Sequence, residues 1–321
     1  MTYQAMKENT LMMLRNISFL DSANYSSWPM RLVGLTPWQK NERSAKEILD
    51  EYNNFWYKNA LNAWEDYVKT HQNPSPSRFF RVLDRIIYNQ VIQNPNIYGI
   101  VKDEHLISIN HELFIANWTS INALYDNLLV DVLELYTNKY NAYTLVELGC
   151  GTGNNLFNAY GRLPIEYILG AEICSNAVTL GNQIIERCNI QGSFQPFDYF
   201  DRNGIFSLIQ NIKSKYILFT SHSIEQVQIS KTNFIDQLLE IEHKPEIVIH
   251  FEPVIDKNDN SLVSKLHEVY AKKNLYNCDL LDTLTTYQQN GKINIIDIQK
   301  GIFGRGAFNP TTIIAYQLQP K

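Results

Sequence analysis

The chain has 321 residues, enough for one large domain or two ordinary ones, and 45% of them are hydrophobic, ample for a buried core. Its formal net charge is −5 with no Lys/Arg cluster, which argues against a nucleic-acid backbone as partner. No apolar run reaches the roughly 18 residues of a membrane span, and Arg15 and Asn16 cut short the apolar Leu11–Leu14 stretch before it could serve as a signal segment.

The first 140 residues read as helical and aromatic, and all five tryptophans lie there. Ser44–Val68 predicts one long amphipathic helix, because Ile48, Leu49, Tyr52, Phe55, Trp56, Asn59 and Ala63 recur at helical spacing. The Pro/Ser stretch Gln72–Ser77 breaks it. A second helix follows over Arg78–Ile92, ended by Asn94-Pro95-Asn96 and Gly99, and a third over Leu113–Leu135. The apolar stripe of these helices would serve either an intramolecular core or a homodimer interface.

After residue 140 strands and helices alternate, the pattern of a mostly parallel sheet covered on both faces. The strands are expected at Thr144–Leu148, Tyr167–Ala171, Ser193–Gln195, Lys215–Thr220, Glu246–Glu252, Ile293–Phe303 and Thr311–Leu318. No helix separates the last two, so they should form an antiparallel hairpin. The expected organisation is a helical covering region, residues 1–140, and a sheet domain, residues 141–321. The four cysteines form no CxxC pair and no zinc spacing, which suits a reducing, cytoplasmic setting, and no tight metal-ligand cluster is visible.

The most informative stretch is Val146-Glu147-Leu148-Gly149-Cys150-Gly151-Thr152-Gly153. A strand that ends in Gly-x-Gly-x-Gly and opens into a helix makes a turn almost free of side chains. Its backbone can approach a ligand closely while helix N–H groups point at it. Glu147 before the first glycine disfavours a pyrophosphate and favours a ligand with a cationic amine. A dinucleotide fingerprint would need Gly-x-Gly-x-x-Gly, and position 154 is Asn. Glu172 follows the second expected strand, where doubly wound folds place an acid on ribose hydroxyls.

This stretch resembles motif I of the class I S-adenosylmethionine-dependent methyltransferases. The resemblance covers roughly Tyr143–Gln319. It implies an α/β, Rossmann-like seven-stranded sheet, mostly parallel with a C-terminal antiparallel hairpin, plus an N-terminal helical cap. It also implies S-adenosylmethionine as cofactor and S-adenosylhomocysteine as product. Glu147, Gly149, Gly151, Gly153 and Asn154 would form the cofactor turn. Neither Asn154 nor Asn155 can be preferred for contact over helix capping. Glu172 would hold the ribose, and Ile173 would pack on the adenine. Asp198 would lie near the adenine amino group, with Tyr199 and Phe197 as ring partners. Thr220 would close the cofactor site from the fourth strand.

In the resembled family the loop after the fourth strand borders the methyl group. Here it reads Thr220-Ser-His222-Ser-Ile-Glu225. His222 could be the base for a hydroxyl acceptor, and Glu225 could orient it or anchor a cationic acceptor. Glu252 ends the fifth strand and points toward the same crevice, with His250 two residues earlier as a packed histidine. Arg305 and Asn309, between the last two strands, could reach the acceptor. The loop lacks the Asn/Asp-Pro-Pro-Tyr/Phe of DNA amino-methylating enzymes and the paired glutamates of protein arginine methyltransferases. The resulting expectation is methyl transfer to oxygen or nitrogen of a small molecule, either a hydroxyl compound or an amine or guanidine. The alternative is a catalytically degenerate binding protein of the same fold.

Overall fold

The structure is a computed structural model that describes residues 14–38, 44–93 and 104–319. The expected helix stop at Asn94, Pro95, Asn96 and Gly99, and residues Leu11–Met13, lie outside the described residues. The strands in chain order are β1 (Arg15–Asn16), β2 (Glu104–Ile109), β3 (Glu112–Asn117), β4 (Thr144–Leu148), β5 (Tyr167–Glu172), β6 (Gly192–Pro196), β7 (Tyr216–Ser221), β8 (Ile247–Pro253), β9 (Ile293–Gly304) and β10 (Thr311–Leu318). They form one sheet in the order β1-β3-β2-β9-β10-β8-β7-β4-β5-β6. β6, β5, β4, β7 and β8 run parallel. β10 is antiparallel to β8, and β9 to β10. The seven strands expected from the sequence are therefore present.

Three further strands correct the expectation of a purely helical N-terminal region. β2 and β3 form a hairpin that pairs onto β9, with Ser108 opposite Gly304, and β1 pairs with β3. The two turn residues, Asn110 and His111, both adopt left-handed φ (49° and 64°), as a tight two-residue hairpin turn requires. Both faces of the hairpin are covered. Ile107, Ile109, Phe114 and Ala116 join the main core, while Leu106, Leu113 and Ile115 join a separate apolar cluster. Burial on both sides replaces the apolar/polar alternation of a half-exposed strand by a run that reads equally as helix. The helix expected from Leu113 consequently starts only at Trp118, where Asn117 accepts a hydrogen bond from the Ser120 N–H at 2.8 Å.

The helices are α1 (Phe19–Ser22), α2 (Trp28–Leu32), α3 (Ala45–Glu51), α4 (Lys58–Thr70), α5 (Pro76–Gln93), α6 (Trp118–Tyr140), α7 (Asn154–Arg162), α8 (Ser175–Cys188), α9 (Gly204–Ile209), α10 (Phe234–Glu240), α11 (Leu262–Asn274) and α12 (Leu280–Gln289). The expected Ser44–Val68 helix begins with a reciprocal cap between Ser44 and Glu47. It then widens into a π-helical turn, Tyr52–Tyr57, before continuing as α4.

Side-chain alternation along the strands separates two apolar layers. Leu145, Ile168, Ile217, Ile247 and Ile249 face α4–α8, including Trp64, Phe79 and Tyr125. Val146, Leu148, Leu169, Leu218 and Val248 face α9, α10 and α12. The N-terminal helices α4 and α5 thus pack in the layer of α7 and α8. Phe80 of α5 stacks on Phe157 of α7 at 5.8 Å. Strand order reverses between β4 and β7, and in open α/β sheets ligands bind outside the carboxyl ends of the strands at such a switch.

Candidate functional site

β4 delivers the glycine turn to this switch point. Gly149, Gly151 and Gly153 all have left-handed φ (67°, 53° and 82°). The turn is hooked to the end of β5 by hydrogen bonds from the Gly149 and Cys150 N–H groups to the Ala171 carbonyl, at 2.7 and 3.1 Å. A Cβ at Gly151 would stand 3.0 Å from the Tyr57 hydroxyl, so a side chain there would strike protein as well as ligand. A Cβ at Gly153 would stand 2.4 Å from the Phe194 ring. The third glycine therefore makes room for core packing at least as much as for a ligand.

Two buried carboxylates flank the turn. Glu147 is fully buried, and its Oε1 accepts a hydrogen bond from Asn155 Nδ2 at 2.6 Å. Its Oε2 has no hydrogen-bond partner among the described residues. Burial pushes the carboxyl well above its ordinary range, against the Asn155 bond, and the charges of Glu172 and Glu252 add to the rise. Asn155, rather than Asn154, thus engages the motif carboxylate. Asn154 is the first residue of α7, following Gly153. Glu172 at the end of β5 accepts from the Gly151 N–H at 2.9 Å and the Cys174 N–H at 3.0 Å. Burial raises its carboxyl despite these bonds. Ile173 beside it is 48% exposed, an apolar side chain left open at the crevice.

The other expected cofactor contacts sit differently. Asp198 accepts from the Phe200 N–H at 2.9 Å within its own turn. Tyr199 is buried, its ring packed edge-on against Phe197 and Phe234. Its hydroxyl bonds Ser223 Oγ at 2.8 Å and donates to the Leu148 carbonyl at 3.3 Å. It ties β4 to the loop after β7 instead of offering a ring face. Thr220 is likewise buried, with Oγ1 2.9 Å from His250 Nδ1. His250 lies wholly inside the sheet between Thr220 and Tyr316, and burial lowers it to about 3.

The second half of the site is a hydrogen-bond network around His222, in which Asn309 Oδ1 is buried without a partner among the described residues. His222 follows β7 with a left-handed φ of 52°, a strained conformation for a residue with a side chain. Its Nδ1 lies 3.0 Å from Glu225 Oε2 and its Nε2 lies 2.7 Å from Thr311 Oγ1. Glu225 Oε2 also accepts from Asn309 Nδ2 at 2.9 Å. Burial acts to raise the Glu225 carboxyl, but the bonds from His222 and Asn309 and the His222 charge outweigh it and hold it below its ordinary value. An ionised Glu225 must accept from Nδ1–H. In a neutral ring Nε2 is then the basic nitrogen, accepting from the Thr311 hydroxyl. Glu252 Oε1 accepts from the Ser223 and Ile224 N–H groups at 3.0 and 3.1 Å, and Oε2 accepts from the Glu225 N–H at 3.3 Å. It fixes the loop that carries His222. Burial pushes its carboxyl up to about 7, with the Glu225 charge adding and the His222 charge opposing.

Tyr125 of α6 closes the site from the N-terminal side. Its hydroxyl is 2.7 Å from Ser221 Oγ, and its ring lies edge-on to His222 at 5.9 Å. Arg305 holds its guanidinium 4.1 Å from the centre of that ring. The β9–β10 turn thus delivers both Arg305 and Asn309, as their position between the last two strands suggested. Tyr57, Tyr125 and Thr311 were not legible as site residues. The tyrosines sit among many aromatics at helical spacing, and Thr311 opens an ordinary strand. Among the described residues no group of three or more His, Cys, Asp or Glu could hold a metal ion. No helix among them is long and apolar enough to cross a membrane.

No protein-family model matches the chain, and neither does any curated protein. Solved structures similar to it include the methyltransferase domain of bacterial CtHen1, at 17% identity over 61% of this chain and 98% of that one, with a TM-score of 0.41. Another is magnesium protoporphyrin IX methyltransferase from Synechocystis PCC 6803 with bound S-adenosylhomocysteine, at 13% identity over 63% of this chain and 87% of that one, with a TM-score of 0.43. A third is geranyl diphosphate C-methyltransferase from Streptomyces coelicolor A3(2), at 14% identity over 63% and 82% of the two chains, with a TM-score of 0.40. All three are methyltransferases by their own descriptions.

Proposed function

We propose that the chain is an S-adenosylmethionine-dependent methyltransferase acting on an oxygen or nitrogen of a small-molecule acceptor. The carrying observation is Glu147, a fully buried carboxylate beside a glycine turn with one oxygen bonded by Asn155 and the other without a partner among the described residues. Burying such an oxygen unpaired costs free energy that an incoming cation returns. The residues present fit the cofactor. The unpaired Glu147 oxygen suits its ammonium group, and Glu172, the carboxylate at the end of β5, suits its ribose hydroxyls. Ile173 offers an apolar surface for the adenine.

S-adenosylmethionine supplies an electrophilic methyl group on a sulfonium. The chain must then hold an acceptor in line and receive its proton. His222 is the candidate base at Nε2, with Glu225 fixing the tautomer through Nδ1–H and Asn309 fixing Glu225. Nε2 meets the Thr311 hydroxyl, so the acceptor either displaces that bond or passes its proton through Thr311 Oγ1. Glu252 acts as a positioning residue for the loop. On this reading residues 141–321 bind the cofactor, and residues 1–140 enclose the acceptor through Tyr125, an arrangement that favours a small or slender molecule. The four free cysteines suit a cytoplasmic setting.

Calorimetric titration with S-adenosylhomocysteine, with NADH in parallel, tests the proposal. Binding of the first alone, at micromolar affinity or tighter, is expected. Failure to bind it would overturn the reading. Binding without turnover across hydroxyl compounds and amines would move the chain to the binding-only alternative.

A further inference from the structure

The π turn Tyr52–Tyr57 interrupts an otherwise regular helix at the edge of the glycine turn. π turns are rare and concentrate at functional sites. One extra residue in a helix rotates everything after it by roughly 100°, so the widening decides where Tyr57 points. It points at Gly151, with the hydroxyl 3.0 Å from where a Cβ would stand. Burial raises the phenol well above its ordinary range, and the nearby Glu172 charge is the next contribution. Tyr57 is half-buried, and among the described residues nothing hydrogen-bonds its hydroxyl, which leaves it free to donate.

The same turn is fastened to the other side of the crevice. Asn53 Oδ1 accepts from the Asn176 N–H at 3.0 Å, and the Asn53 carbonyl accepts from Asn176 Nδ2 at 2.9 Å. Asn176 lies in the first turn of α8, whose own N-cap residue, Cys174, makes no side-chain capping bond. Asn53 therefore caps α8 from another element, supplying an acceptor to one of its unpaired N–H groups. The turn bridges from α8 to the glycine turn, where the Gly151 N–H donates to Glu172.

We propose that Tyr57 is a cofactor-binding residue whose hydroxyl donates to the bound cofactor, and that the Asn53–Asn176 clasp holds its turn closed over the site. This inference rests on the reading of the glycine turn as the S-adenosylmethionine site. A ligand laid along Gly149–Gly153 and held by Glu172 must meet the phenol. The turn must release from α8 to admit it.

The test is titration of the full chain with S-adenosylhomocysteine, together with its dissociation rate read by displacement or by Trp56 fluorescence. Tyr57→Phe, which removes one hydrogen bond, should weaken affinity by about 2–10-fold. Tyr57→Ala, which also removes the ring, should weaken it by more than about tenfold. Asn53→Ala should speed association and dissociation together while changing affinity less than Tyr57→Ala does. If the wild-type chain binds but both Tyr57 variants bind as tightly or tighter, Tyr57 is a plug or a bystander, and this inference alone is overturned. If the wild-type chain does not bind, the cofactor reading itself fails. Tyr57→Phe keeps the packing ring, so its affinity remains interpretable even if Tyr57→Ala folds poorly.

Discussion

The two halves of the crevice handle their buried carboxylates differently. At the ends of β4 and β5, Glu147 keeps one buried oxygen unpaired among the described residues. At the ends of β7, β8 and β10, both His222 nitrogens are engaged, and so are both Glu252 oxygens. Buried polar groups left unsatisfied are costly. On the proposed function a ligand would complete the first half, and the second would have to yield one bond before it could act.

The sharpest way to break this contrast is Glu172→Ala. It removes the acceptor for the Gly151 and Cys174 N–H groups, leaving two donors that cost about 1–3 kcal/mol each when unpaired. The expected result is a melting temperature lowered by several degrees together with loss of measurable S-adenosylhomocysteine binding. Wild-type behaviour in both measurements would show that Glu172 anchors neither turn nor ribose. Next in size is Glu147→Gln, which neutralises the ammonium partner. Affinity should fall by about 1.5–3 kcal/mol, the range for hydrogen bonds to charged groups, with folding stability kept or improved. Unaltered affinity in calorimetry would move the amine elsewhere.

In the second half, His222→Ala should lower turnover of a hydroxyl acceptor by about 10²–10⁴-fold while S-adenosylhomocysteine affinity stays within about twofold. Equal loss of both would make His222 a binding residue. Glu252 gives a pH test. Its folded carboxyl is raised from the ordinary 4.5 to about 7. The folded chain therefore holds a proton there that the unfolded chain has already released. The stability it contributes is full below pH 4.5 and is lost as pH rises through about 7. Melting curves from pH 5 to 8 should show the wild-type chain losing ground against Glu252→Gln, and a constant gap would mean that Glu252 titrates ordinarily. The smallest effect is expected from Arg305→Gln. It should raise the acceptor KM by a few-fold through the lost cation over Tyr125, about 0.5–1 kcal/mol at an exposed site, without changing cofactor affinity.

Where sequence reasoning went astray, the cause was tertiary. The β2–β3 hairpin was read in part as helix because both of its faces are buried, one in the main core and one against Phe308 and Leu266. Tyr199 and Thr220, expected at the cofactor, are buried, and their hydroxyls lie within hydrogen-bond distance of Ser223 and His250. A side chain's direction at a strand end depends on such partners, and spacing along the chain does not reveal them.

The sequence by itself determined the seven-strand α/β core and the place of the glycine turn with its two flanking carboxylates. Glu147, the three glycines and Glu172 lie within one strand-turn-helix-strand unit. Local rules of strand alternation and glycine conformation place them there. Only the tertiary structure decided the second half of the site. His222 and Thr311 stand 89 residues apart in the chain, and Tyr125 and Ser221 stand 96 apart. Those pairs exist because β10 inserts beside β8 and α6 crosses the strand ends. Nonlocal packing of that kind leaves no periodic trace in a single sequence.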